Sequence, residues 1–227
     1  IVVGRFLQTI NFGGSDLVVT PGGSATATDI FVAKFDAAGN HIWSNQYGGM
    51  FSDGNLDVSV AADSADRIVV GGNFNATVDF GDGVNHTASP AGKADAFVMV
   101  LNPDGTTAWA TAFGDVAADS VYDVGFDGFG NIIAVGTYTE TMNVGGSTLT
   151  SAGGSDVFAF TLNADTGAHV RSRTYGGTDD DSGLALAQYS GSIYVAGSIK
   201  GTATFDGVTL TSNGGADAFV ARLGRSS

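Results

Sequence analysis

The chain contains no cysteine among its 227 residues, which excludes disulfide bonds and thiolate metal sites. Its 9 Lys and Arg residues stand against 23 Asp and Glu residues, a formal net charge of −14. A phosphate backbone or an anionic membrane surface repels such a protein, so nucleic acid is not an expected partner. No apolar run approaches the ~20 residues that a membrane-spanning helix needs, so membrane insertion is not expected either.

Residues that favour long helices are also scarce, and Glu140 is the only glutamate. The chain has 3 prolines but 35 glycines, and Val, Thr, Ser and Asp are frequent. This mixture is typical of short strands joined by tight turns. Because 43% of the residues are apolar, a hydrophobic core can form, and the composition predicts an all-β fold.

A pentapeptide that begins with aspartate and has phenylalanine at its third position recurs four times, at intervals of 66, 61 and 61 residues. The copies are 29–33, 95–99, 156–160 and 217–221. A second motif of the type Ile-Val-Val-Gly precedes each copy and ends at Gly4, Gly71, Gly136 and Gly197. Self-similarity at a fixed period indicates one supersecondary unit stacked on copies of itself.

Each complete unit contains four candidate strands, which in the second unit are 57–63, 67–72, 95–101 and 107–113. Short turns between most of them make neighbouring strands antiparallel. A glycine-rich excursion between the second and third strands has the pattern of a small extra hairpin. The sequence therefore predicts a β-propeller built from four-stranded antiparallel blades, each blade repeat spanning ~60–67 residues.

The predicted units form one array over residues 1–227, at approximately 1–55, 56–118, 119–181 and 182–227. The first lacks its innermost strand and the last its outermost, which leaves about 3.5 blades' worth of strands, whereas closed propellers have about four to eight blades. Unpaired edges recruit other strands. We therefore expect self-association or completion by further chain segments, and two copies provide enough strands for a seven- or eight-bladed assembly. The first residues read like the interior of a longer polypeptide.

The segment from Phe12 to Gly49 contains Phe-Gly-Gly, then Asp-x-Phe-Val-Ala-Lys-Phe-Asp-x-x-Gly-Asn-x-x-Trp, then Tyr-Gly-Gly. This pattern resembles the bacterial "seven-bladed beta-propeller" repeats, known as SBBP, and is distantly similar to NHL repeats. The resemblance covers essentially the whole chain, although Arg171 stands where Trp43 and Trp109 stand in other units. It implies a propeller in a secreted or cell-surface protein, and it carries no shared catalytic residues.

Acidic residues recur in the connections between units, and Asp53, Asp119, Asp179 and Asp181 are the candidate ligands of a metal. Ca²⁺ takes six to eight oxygens, which aspartates and loop carbonyls supply. The competing interpretation is turn capping, in which the carboxylate accepts hydrogen bonds from backbone amides. The aspartate that opens each pentapeptide is present in every unit, which favours an architectural role, and the phenylalanine two residues later is expected between blades.

Two functions of different classes fit these observations. The first is a non-catalytic extracellular structural or interaction scaffold, because the repeat is uniform and no nucleophile, base and acid stand out. The alternative is a lectin-like propeller, in which Trp43, Trp109, Tyr47 and Tyr175 stack on sugar rings in pockets between blades. No cofactor other than Ca²⁺ is expected, and the protein is not expected to be an enzyme.

Overall fold

The computed structural model describes residues 1–21, 26–50, 53, 58–89, 93–127, 129–189 and 192–223. These residues form 18 strands and no helix, which confirms the predicted all-β class. Accordingly, the described part of the chain contains no helix that is long and apolar enough to cross a membrane. The stacked sheets curl into a half-barrel.

The first unit is a three-stranded sheet and the second a four-stranded sheet, and each carries a separate two-stranded hairpin. The first contains β1 (Val2–Leu7), β4 (Thr28–Phe35) and β5 (His41–Tyr47), with β2 (Thr9–Ile10) and β3 (Leu17–Val18) as its hairpin. The second contains β6 (Ser59–Ala62), β7 (Ile68–Phe74), β10 (Asp95–Leu101) and β11 (Thr107–Phe113), with β8 (Thr77–Asp79) and β9 (Asn85–Thr87) as its hairpin. Position 57 of the predicted first strand lies outside the described residues.

The third and fourth units are joined in one sheet. The third contains β12 (Ser120–Phe126), β13 (Asn131–Asn143), β14 (Thr148–Asn163) and β15 (His169–Gly177), and the fourth contains β16 (Ser182–Tyr189), β17 (Ser192–Phe205) and β18 (Val208–Leu223). All pairs are antiparallel, and the end of β15 pairs with β17 at Gly176↔Thr204 and Gly177↔Ala203. The excursion of the fourth unit therefore reaches back to the third unit.

The predicted extra hairpins are found in all four units, either as separate strands or as extensions of β13–β14 and β17–β18. In each unit the chain enters the hairpin through a residue with a left-handed backbone. The φ angles are 61° at Gln8, 58° at Ala76, 60° at Glu140 and 66° at Gly201. This conformation costs a non-glycine residue about 1 kcal/mol. The tertiary structure therefore imposes the bend in three of the four units.

Successive units pack face to face and enclose three hydrophobic cores. Between the first and second units, for example, Ile30 and Val32 pack with Ile68 and Val70. Six of the seven side chains predicted to lie between units are buried in these cores, which confirms the prediction for them: Phe97, Phe158, Phe219, Val70, Val135 and Val195. Phe31 is buried as well, at 9% exposed, but it packs with Phe6, Leu17 and Ala33 inside the first unit.

The strand register corrects the second repeated motif by one residue. The pentapeptide phenylalanines pair with Gly4, Gly136 and Gly197 in three units, but Phe97 pairs with Gly72 in the second. The equivalence assigned to Gly71 is therefore wrong. Because two adjacent glycines follow Val70, the sequence offers two alignments, and only the hydrogen-bonded pairing selects one.

Candidate functional site

Three buried aspartates occupy the connections between consecutive units. Each backbone N–H donates to the carbonyl oxygen of the residue that precedes the pentapeptide of the earlier unit. The donor–acceptor distances are 2.8 Å for Asp53 to Thr28, 2.8 Å for Asp119 to Ala94 and 2.6 Å for Asp181 to Ser155. These connections therefore have one repeated geometry, although the sequence around each aspartate differs.

The side chains of these aspartates form hydrogen bonds that connect two consecutive units. The Asp53 carboxylate accepts from the N–H of Gly49 at 2.8 Å, in its own unit, and from that of Asn75 at 2.9 Å, in the next unit. The Asp181 carboxylate repeats this with the amides of Gly177 at 2.8 Å and Lys200 at 2.9 Å. Asp119 likewise accepts from the N–H of Thr139 in the following unit, at 3.3 Å. These bonds are those of the turn-capping interpretation, extended across a junction.

A second buried carboxyl, from the pentapeptide, lies near each junction aspartate. Asp29 accepts from the Thr20 N–H at 2.8 Å, which anchors the loop before the strand, as the architectural interpretation predicts. Burial raises the pKa of Asp53 to about 7 and that of Asp119 to about 8, and the negative charges of Asp29 and Asp95 add to these shifts. Burial also raises the pKa of Asp95 to about 6. Asp53, Asp95 and Asp119 therefore keep their protons at pH values where exposed aspartates have lost them.

The glycine after the aromatic residue at the end of each fourth strand makes room for this carboxyl. A Cβ atom at Gly48, Gly114 or Gly176 would lie 2.2, 2.5 or 2.6 Å from the Cγ of the pentapeptide aspartate of its own unit. Real Cβ atoms do not approach other heavy atoms this closely, because packed interiors leave no such overlap. The aromatic-glycine pair in each fourth strand is thus a steric requirement of the junction.

The four candidate metal ligands do not converge. Asp179 Oδ1 lies 3.6 Å from Lys200 Nζ, whereas Asp181 is occupied by the two backbone amides described above. In the part of the chain that the structure describes, no group of three or more His, Cys, Asp or Glu side chains is placed to hold a metal ion. Calcium binding remains a prediction of the sequence.

The two tryptophans act across junctions. Trp43 Nε1 donates to the carbonyl oxygen of Pro103 at 3.1 Å, and Trp109 Nε1 donates to that of Ala164 at 3.0 Å. In both cases the partner belongs to the turn between the third and fourth strands of the next unit. The indole rings cover Gly105 and Gly167 of those turns. Each half-buried indole therefore holds the following unit by one hydrogen bond and one ring contact, and we call this arrangement the tryptophan clamp.

The two candidate tyrosines are buried, with 4% of each residue exposed. The Tyr175 ring stacks on Phe205 of the next unit, with 5.3 Å between centroids and 13° between planes. Tyr47 is 6.5 Å from Phe80, at the equivalent position of the first junction. Ring faces used in this way are not open to a sugar, so of the four predicted stacking residues only the indoles are partly exposed. Sugar binding by these rings remains a prediction.

No model of a known protein family matches the chain. It is 28% identical over 159 residues to a protein of Acanthamoeba polyphaga mimivirus named "Uncharacterized WD repeat-containing protein L264". The match covers 65% of this chain but 11% of that protein, so the chain spans about a ninth of its relative's length. WD repeats form propeller blades of four antiparallel strands. This chain is a propeller-like repeat protein.

One residue that links neighbouring units of the propeller-like array was not predicted to do so from the sequence. Asp123 lies within β12, where it accepts from Ser59 Oγ at 2.6 Å and from the Leu186 N–H at 2.8 Å. It therefore joins the first strands of three successive units, β6, β12 and β16. Ala185 occupies the equivalent place in β16. Because this carboxylate occurs at that place only once, the repeat pattern gives no signal for it.

The propeller-like array also has clefts at equivalent places in two junctions. The cleft between the first and second units measures about 420 Å³ and is lined in part by Asn45 and Tyr47. The cleft between the third and fourth units measures about 440 Å³ and is lined in part by Arg173 and Tyr175, the residues at the same repeat positions. These clefts arise only from the packing of units, so sequence patterns do not reveal them.

Proposed function

We propose that the chain is a non-catalytic structural or interaction scaffold that assembles through the end faces of its array. More specifically, we propose that the chain is part of an SBBP-type propeller in a secreted or cell-surface protein, and that units beyond these four complete the ring. The uniform repeat, the WD-repeat relative and the hydrogen-bonded junctions support this proposal.

The observation that carries the proposal is the bare outer face of the fourth unit. Val220 is 74% exposed, whereas the residues at the same repeat position, Val32, Val98 and Ala159, are 0%, 0% and 7% exposed. In the inner units the following unit covers this position. The fourth unit therefore presents, in unpaired form, a surface that is buried three times inside the same chain.

The first unit presents the opposite half of a junction. On its face away from the second unit, Phe12 packs against Phe31 with 4.7 Å between ring centroids and 41° between ring planes. In the second unit the equivalent pair, Phe80 and Phe97, is covered further by Tyr47 of the preceding unit. The first unit of a second copy therefore fits the bare face of the fourth unit, as does any further unit of the same repeat. Such head-to-tail contacts give a ring if the rotation closes and a filament if it does not.

Sedimentation velocity over a range of micromolar concentrations tests the proposal. We expect the unmodified chain to associate, and Val220→Lys to abolish association because it buries an unpaired charge in the contact. Val208→Lys is the matched control, since Val208 is 61% exposed but lies at the tip of the hairpin of the same unit. A monomer at every concentration, or equal behaviour of both variants, would overturn self-assembly.

A further inference from the structure

The cleft between the third and fourth units differs from its counterpart in having an unpartnered polar atom in its lining. Oδ1 of the pentapeptide aspartate is buried without a hydrogen-bond partner in Asp29, Asp95 and Asp156, but of these three only Asp156 lines either cleft. Asp156 is 2% exposed, and the Tyr175 hydroxyl beside it interacts with the Arg173 side chain. A buried polar atom without a partner is costly, so Asp156 Oδ1 is suited to bind a polar ligand.

The counterpart between the first and second units is already satisfied internally. Asn45 Nδ2 donates to the Gly105 carbonyl at 2.7 Å, and Thr107 Oγ1 donates to the Phe80 carbonyl at 2.6 Å. The Tyr47 hydroxyl has Asn45 Nδ2 at 3.3 Å. Because the polar groups in its lining already hydrogen-bond to protein atoms, this cleft offers a ligand few additional hydrogen bonds. It serves as an internal control for the other.

The charges in the cleft between the third and fourth units favour a neutral ligand. The Arg173 guanidinium is paired with Asp206. Asp156 adds a carboxyl whose pKa is raised by burial and by the nearby Asp181. The carboxyls repel an anion, and the guanidinium in the same wall of the cleft repels a cation. The ion pair instead presents donors and acceptors side by side, the pattern that adjacent hydroxyls of one ligand match.

The remaining lining adds hydroxyl groups at the rim, from Thr150, Thr174 and Thr204. The volume of about 440 Å³ is within the range of small-ligand sites. An apolar ligand would leave the buried Oδ1 of Asp156 unpaired, and no triad of metal ligands exists among the described residues. We propose that the cleft between the third and fourth units binds a neutral polyhydroxylated ligand, a single sugar ring of a saccharide, through Arg173, Asp206, the Tyr175 hydroxyl and the unpartnered Oδ1 of Asp156.

Of the four stacking residues predicted from the sequence, this site contains only Tyr175, through its hydroxyl and not through its ring face. The site does not depend on the scaffold proposal, because a monomer already contains the complete cleft. The probes are the methyl glycosides of glucose, galactose, mannose, fucose, N-acetylglucosamine and N-acetylgalactosamine. Saturation-transfer NMR detects binding and calorimetry gives the dissociation constant. Inorganic phosphate is the anionic comparison.

We expect at least one glycoside to bind in the millimolar range and phosphate not to compete. Arg173→Met should weaken binding about tenfold, because it removes a charged donor. Asn45→Ala changes the same repeat position in the control cleft and should leave binding unchanged. Thermal unfolding verifies that both variants are folded.

Three results would overturn the proposal. The first is the absence of binding by all six glycosides. The second is equal binding by the Arg173→Met and Asn45→Ala variants. The third is loss of binding on Trp109→Ala with retention in Arg173→Met, which would place the saccharide at the indole.

Discussion

Asp156 and Asp217 occupy the same position in successive units, yet the first is buried and the second is exposed. Both accept a hydrogen bond from the backbone four residues earlier, from Ala152 at 2.5 Å and from Asn213 at 2.6 Å. The local loop is therefore made within a unit, whereas burial of the carboxyl depends on the connection to a following unit. Local sequence determines the turn, and the neighbouring unit determines the environment of its charge.

The largest effect should come from filling the space beside a buried carboxyl. At Gly114 a Cβ would lie 2.5 Å from Asp95 Cγ, whereas at Gly215 a Cβ meets nothing within 4 Å. We expect Gly114→Val to lower the free energy of unfolding by about 3 kcal/mol, because overpacking strains the junction. Gly215→Val should change it by less than about 0.5 kcal/mol. Urea unfolding measures both, and equal effects would contradict the steric account.

The protonation of the junction carboxyls should make stability depend on pH. The folded-state pKa of Asp119 is about 8, above the unfolded value of 3.8. Its contribution is therefore fully present below pH ~4 and is lost as the pH rises through about 8. We expect the free energy of unfolding to fall by about 2 kcal/mol or more between pH 5 and pH 9.

Two substitutions separate this effect from the general repulsion of an acidic protein. Asp119→Asn and Asp217→Asn each remove one ionisable carboxyl. Only the first should flatten the pH profile, because only Asp119 is buried at a junction. Identical profiles for the two variants would attribute the pH dependence to net charge alone.

A smaller effect is expected at the tryptophan clamp. Trp109→Phe keeps an aromatic ring but removes the donor to the Ala164 carbonyl. It should lower the free energy of unfolding by about 1 kcal/mol, the net value of one hydrogen bond. Ile42→Phe, at an exposed position next to Trp43 in β5, should change it by less than about 0.5 kcal/mol. Thermal unfolding compares the two variants, and an equal loss for both would contradict the role of the indole hydrogen bond.

The smallest effect should be that of calcium. Because Asp53 and Asp181 already accept two backbone amides each, neither Ca²⁺ nor a chelator should shift the melting temperature. A shift that disappears in Asp181→Asn would instead support the predicted metal site.

The sequence predicted the features that recur at a fixed spacing. The four pentapeptide phenylalanines are all buried because they occupy the same position in every repeat, and Phe97, Phe158 and Phe219 lie between units. The loop-anchoring role of Asp29 follows from its position before a strand. The role of Trp43 could not be derived, since its acceptor on Pro103 lies 60 residues away in the next unit. Asp123 and the clefts were missed for a related reason, because they depend on the meeting of different units.

The links between neighbouring units lie at both margins of the sheets as well as in the middle. Asp123 bonds at one outer strand, the junction aspartates bond in the interior, and the tryptophans bond from β5 and β11 at the opposite side. A joint held along its whole width resists both hinging and torsion. The bend per unit is consequently set by the side chains of a junction, so adding units lengthens the arc and leaves its radius unchanged.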